Sequence, residues 1–64
     1  MKIILPDRTC RETTFGTMTV EQVLADLGID SLGVLVSRNG TLVTEDAILD
    51  NDDEIRIIRI AHGG

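Results

Sequence analysis

The chain has 64 residues, 42% of them hydrophobic and 27% charged, with a net charge of −5. A chain this short makes one small domain near the lower limit for folding alone, burying about 60% of its unfolded surface, so a large enclosed active-site pocket is hard to build. The acidic balance argues against non-specific nucleic-acid binding, which needs Lys and Arg to neutralise phosphates, and against a basic helix lying on a membrane.

Residues 1–5 read as a strand, Pro6-Asp7-Arg8 as a turn, and the Thr-rich stretch 9–15 as a second strand returning as a hairpin. Gly16-Thr17-Met18 is a connector. Thr19 has the character of a helix N-cap, and Gln22 three residues on completes a capping box. Val20, Val23, Leu24 and Leu27 then fall at i, i+3, i+4 and i+7, which places four branched apolar side chains on one helical face. Gly28 stands where a helix stop is expected. Residues 34–38 read as a third strand. Asn39-Gly40 is a two-residue hairpin signal because both positions tolerate positive φ, and residues 41–43 return as a short strand. Residues 44–49 are expected to form a short helical turn or loop that drops Ile48 or Leu49 into the core. An acidic turn at 50–54 leads to the last strand, 55–60, and then to Ala61-His62-Gly63-Gly64. The helix must cover the apolar face of a mixed sheet, since neither element can bury its face alone. With Phe15 the one aromatic residue, the core must be aliphatic.

The Gly63-Gly64 ending is the most informative feature. Glycine lacks Cβ and is conformationally permissive, so such an end can thread a narrow enzyme slot with its α-carboxylate leading. The plain alternative is an idle, loose terminus. The expectation is a domain over residues 1–60 and a flexible tail over 61–64, with the Gly64 carboxylate as the working group.

Nothing in the chain resembles a self-sufficient active site. A histidine is by type a candidate general base, but a flexible tail cannot hold His62 in place for that role, so partner recognition is the better reading. Cys10 has no predictable basic surroundings to activate its thiol and reads as a small strand residue. The acidic stretch 50–54 lacks the glycine and spacing of a calcium loop and reads as a solvated turn. One Cys and one His supply neither a disulfide framework nor four zinc or iron–sulfur ligands, so no metal site is expected. No run approaches the ~20 apolar residues of a membrane span, and the first residues have no signal-peptide pattern. The expected location is a reducing cytoplasm.

Element order, length and ending together resemble the β-grasp, ubiquitin-like family. The nearest likeness is to small sulfur carriers of the ThiS and MoaD type, and the chain is also similar to the archaeal ubiquitin-like SAMP proteins. The matching pieces are Lys2-Ile3-Ile4-Leu5, the helix from Thr19-Val20 to Leu27-Gly28, and the hairpin Val36-Ser37-Arg38-Asn39-Gly40. Leu49-Asp50-Asn51-Asp52-Asp53-Glu54-Ile55 looks like the family's stretch before the last strand, and Gly63-Gly64 like its terminal pair. Asp52 departs from the pattern, standing where the family commonly has Gly.

The resemblance implies an α+β fold: a mixed four- to five-stranded sheet with one helix across one face, and the last strand between the first and third. Strand alternation then assigns the faces. Met1, Ile3, Leu5, Val34, Val36, Ile55 and Ile57 would point to the helix, and Lys2, Ile4, Leu35, Ser37, Arg56, Ile58 and Ile60 to the open face. Ile4, Leu35 and Ile58 would lie side by side, rimmed by Lys2 and Arg56, near the exit of the tail. Such an apolar patch reads as a docking surface, although β-propensity alone could also place Ile and Leu there.

The resemblance also implies the chemistry. An adenylating partner related to ubiquitin-activating enzymes would bind ATP and activate Gly64, while this chain itself holds no cofactor. A sulfur donor such as a cysteine desulfurase or rhodanese would convert the acyl-adenylate to a thiocarboxylate. A synthase would accept the sulfur for thiamin, molybdopterin or thiolated tRNA. The alternatives are a protein modifier joined to lysines through Gly64 and a non-covalent binding module. Lys2 is the only lysine, which disfavours branched polymer chains.

Overall fold

The computed structural model describes residues 1–14 and 16–60. Phe15 and the expected tail over 61–64, with His62, Gly63 and Gly64, lie outside the described residues. The strands are β1 (Lys2–Ile4), β2 (Cys10–Glu12), β3 (Met18–Thr19), β4 (Val34–Arg38), β5 (Thr41–Val43), β6 (Ile48–Leu49) and β7 (Glu54–Arg59), with one α-helix, α1 (Val20–Leu27). Five strands form a mixed sheet in the order β2-β1-β7-β4-β5. As expected, the last strand lies centrally, parallel to β1 and antiparallel to β4.

Local chemistry accounts for the helix ends. The Thr19 hydroxyl accepts from the Gln22 backbone N–H (3.2 Å) and the Gln22 side chain accepts from the Thr19 N–H (2.9 Å), the reciprocal capping box. Gly28 adopts left-handed backbone (φ 72°). Its N–H donates to the Ala25 carbonyl (3.1 Å), and the Ile29 N–H donates to that of Leu24 (2.9 Å). This pair is a Schellman stop, in which Gly avoids the Cβ clash of left-handed backbone.

Both hairpins close as their turn residues require. Asn39 and Gly40 have φ of 52° and 88°, the signs of the two-residue turn whose twist matches the flanking strands. In the first hairpin Arg8 is left-handed (φ 72°), and Leu5 exchanges bonds with Thr9 and Arg8. The expected second strand is trimmed to the fully exposed Cys10–Glu12.

The core is aliphatic, as the composition requires. Met1, Ile3, Val20, Val23, Leu24, Val36, Leu49, Ile55 and Ile57 are buried, with Leu5, Leu27 and Val34 packed at its margin. Met1, Ile3, Leu5, Val34, Val36, Ile55 and Ile57 are the residues that alternation assigned to the helix face.

Residues 44–49 differ from the helical option of the expectation. After a turn at 45–46 the chain enters β6, which pairs antiparallel with β3, so the expected connector 16–18 also contributes a short strand. The physical reason is the helix start. The first-turn N–H groups lack intrahelical partners, and here Val20 donates to the Ala47 carbonyl (3.0 Å) and Glu21 to that of Glu45 (3.0 Å). An extended strap supplies those acceptors. The Arg38 guanidinium holds it from the other side through the Ile48 carbonyl (2.9 Å). Leu49 is the residue that enters the core, at 0% exposure, while Ile48 stays 58% exposed.

Candidate functional site

The sheet face opposite the helix is the candidate site. Leu35 on β4 and Ile58 on β7 are directly paired, 46% and 41% exposed. Ile4 is half-buried and pairs with Arg56 rather than Ile58, one diagonal step from the expected side-by-side row, because β1 and β7 run parallel with Ile4 in register with Arg56. Ser37 lies on this face but is buried between its cross-strand neighbours Leu42 and Arg56. Its small side chain is overtopped by two long ones. Ile60 sits just past β7, its N–H donating to the Gly33 carbonyl (3.0 Å), and lines a hollow with Asp30 and Gly33 at the end of the sheet.

The register adds residues that the sequence reading left out. Leu42, 60% exposed, stands opposite Ser37 and extends the apolar surface towards the β5 edge. The signal for it was present: a two-residue Asn-Gly turn pairs the residues flanking it, and counting outward brings Leu42 to Ser37. Cys10 pairs with Ile4 and is exposed, with a free thiol. Lys2 lies between Glu12 and Glu54, away from the Leu35–Ile58 pair.

The acidic turn is built by hydrogen bonds. The Asp53 carboxylate accepts from the Asp50 N–H (2.8 Å) and the Asn39 side-chain amide (3.0 Å). These donors, the backbone N–H first, together with the Arg38 charge hold its carboxyl below the usual carboxylate range. Asp52 needs no left-handed backbone, since Arg8 and Asn39 are the positive-φ non-glycine residues among those described. The turn therefore accommodates Asp where a Gly is common. No cluster of His, Cys, Asp or Glu suited to a metal ion occurs among the described residues. Nor is any described helix long and apolar enough to cross a membrane.

The profile of the ThiS family matches residues 7–64, from the first hairpin turn through both glycines. The chain belongs to the ThiS family. No curated protein sequence matches it. Membership makes this chain a small sulfur carrier of the ubiquitin-like, β-grasp type, and ThiS proteins are carriers rather than enzymes. It also implies an activating enzyme and sulfur-transfer partners in general.

Proposed function

We propose that Gly64 is the sulfur-bearing residue of a ThiS-type carrier and that its carboxylate is activated by adenylation. The match to the ThiS family, which includes Gly63 and Gly64, carries this reading. A carboxylate is a poor acyl donor because its leaving group would be oxide. Attack of the carboxylate oxygen on the α-phosphorus of ATP, with loss of pyrophosphate, makes AMP the leaving group. The terminal sulfur of a partner's persulfide then attacks the acyl carbon and expels AMP. A thiol cleaves the resulting acyl disulfide, leaving the Gly64 thiocarboxylate and a disulfide between thiol and partner. The thiocarboxylate hands its sulfur to a precursor of thiamin, molybdopterin or a thiolated tRNA.

In this scheme the chain presents and carries, while the activating enzyme supplies nucleotide chemistry. His62 and Gly63 lead Gly64 into that enzyme's slot, and Leu35, Arg56, Ile58 and the neighbouring Ile4 and Ile60 dock its surface. We place the protein in the cytoplasm, where the exposed Cys10 thiol stays reduced.

The test is the intact mass of the protein after incubation with its activating enzyme, ATP and a sulfur source. The expected product has one oxygen replaced by sulfur, and a Gly63→Ala/Gly64→Ala variant does not form it. A covalent ladder on lysine-bearing proteins, with no thiocarboxylate, would replace this reading with that of a protein modifier.

A further inference from the structure

The six basic side chains of this acidic chain are distributed unevenly. Arg8, Arg56 and Arg59 line one open hollow of ≈ 650 Å³ together with Ile4, Pro6 and Ile58. Arg11 joins Arg59 in the adjoining hollow. The acidic stretch 50–54 lies at the opposite end of β7 and runs into its first residue, Glu54. Of the acids nearby, Asp7 accepts from both the backbone N–H (3.0 Å) and the hydroxyl (2.6 Å) of Thr9, while Asp30 shares a neighbouring hollow with Arg59 and Glu54 one with Arg56. Arg8 stands at the hollow on left-handed backbone in a tight turn.

We propose that this hollow docks an acidic segment of a partner protein, one carrying an apolar side chain flanked by carboxylates. The apolar floor of Ile4, Pro6 and Ile58 takes the side chain. The guanidiniums of Arg8, Arg56 and Arg59 take the carboxylates, for which their planar fork is matched. A free phosphate or a nucleic-acid backbone needs no such floor, and the net charge of −5 repels an extended polyanion. A local acidic segment escapes that repulsion because charges more than a Debye length away, about 8 Å at physiological salt, are screened. Arginine around an apolar centre is also the composition of energetically dominant interface residues. The inference deepens the proposed function: it rests on that reading for the partner's identity, which would be the activating enzyme, but not for the chemistry of the surface.

The experiment separates the two. The full-length, isotope-labelled protein is titrated with a synthetic peptide alternating glutamate and leucine, and with the same peptide carrying glutamine for glutamate. Backbone amide shifts at Ile4, Arg8, Ile58 and Arg59 are expected with the acidic peptide, weaker at high salt and absent with its neutral counterpart. The Arg8→Asp/Arg59→Glu variant should bind it at least about tenfold more weakly, the lower end of steering effects from clustered charge. Aspartate is chosen at position 8 because it tolerates left-handed backbone, and an unchanged amide spectrum elsewhere confirms the fold. In parallel, the same variant should raise the KM for adenylation by a similar factor, whereas Asp52→Asn at the far end should not. Equal response to both peptides overturns the proposal, as does no response to the acidic one at millimolar concentration, or a response only to a single-stranded oligonucleotide. If the wild-type chain binds the acidic peptide at the hollow yet is never adenylated, the docking surface stands and the carrier mechanism falls.

Discussion

Asn39 and Asp53 are joined side chain to side chain at 3.0 Å across 14 residues of sequence. The amide nitrogen makes that bond, while the Asn39 amide oxygen accepts from the Glu54 N–H (2.9 Å) and the Asn39 backbone N–H donates to the Glu54 carbonyl (2.8 Å). The tip of the β4–β5 hairpin is thereby stapled to the turn that launches β7, the strand at the centre of the sheet. An Asn chosen for its positive φ also fixes where the last strand begins.

Asn39→Gly should keep the turn and lose the staple, costing about 1–2 kcal/mol for the missing side-chain hydrogen bonds. Asn39→Ala should cost roughly 1 kcal/mol more, from forcing a Cβ-bearing residue without a local hydrogen bond into left-handed backbone. Urea unfolding of both variants measures the difference. A glycine variant as stable as the wild type would mean that the amide contributes only through its backbone preference.

Acid should weaken the same region. The Asp53 carboxyl is lowered below its usual range by the Asp50 N–H, the Asn39 amide and Arg38. A depressed folded-state value means that the stabilisation is fully present above the unfolded carboxylate value of about 3.9 and disappears as pH falls through the lower, folded one. Asp7, lowered by its bonds from Thr9, adds in the same direction. Asp53→Asn should flatten the loss of stability below about pH 4 while changing little of the slope above it, as followed by denaturation midpoints across pH.

The strap at 44–49 predicts opposite outcomes for adjacent residues. Leu49→Ala removes a side chain with 0% exposure and should cost about 2–5 kcal/mol. Ile48→Ala, on a residue 58% exposed, should stay within about 0.5 kcal/mol. Reversed magnitudes in thermal or urea unfolding would show that β6 presents its other face to the core.

Ile58→Asp places a charge at the centre of the open face on a side chain that is 41% exposed, so the domain should still fold. Adenylation by the activating enzyme should be abolished, because the carboxylate would be desolvated without a partner in the docked complex. Circular dichroism checks the fold and pyrophosphate release checks the chemistry. A normal rate of release would remove the open face from the docking surface.

Local signals were legible wherever one residue's chemistry settles the matter. Thr19 with Gln22, Gly28, and Asn39-Gly40 each specify backbone geometry within a few residues, and all three are found as expected. The period-two pattern of residues 55–60 likewise separates Ile55 and Ile57 from Arg56 and Ile58 without reference to any other strand. The β-grasp likeness was legible because these signals occur in a fixed order and run into the two glycines.

The central place of the last strand followed from the family likeness, but the pairing of β3 with β6 was not legible, since it depends on which orphan groups meet. Residues 44–49 carry no strong period, and their extended form follows from the unpartnered N–H groups of Val20 and Glu21, which only the folded chain brings beside Ala47 and Glu45. The burial of Ser37 likewise depends on the lengths of Leu42 and Arg56 beside it. Arg8, Arg56 and Arg59, spread over 52 positions, become neighbours because β7 runs parallel to β1 and ends beside the turn that β1 enters. The amino-acid order by itself determined the helix, the turns and the family. Tertiary structure decided that β3 meets β6, the register of the open face and which charges gather, because hydrogen-bond satisfaction and strand register are properties of pairs of segments, not of either one alone.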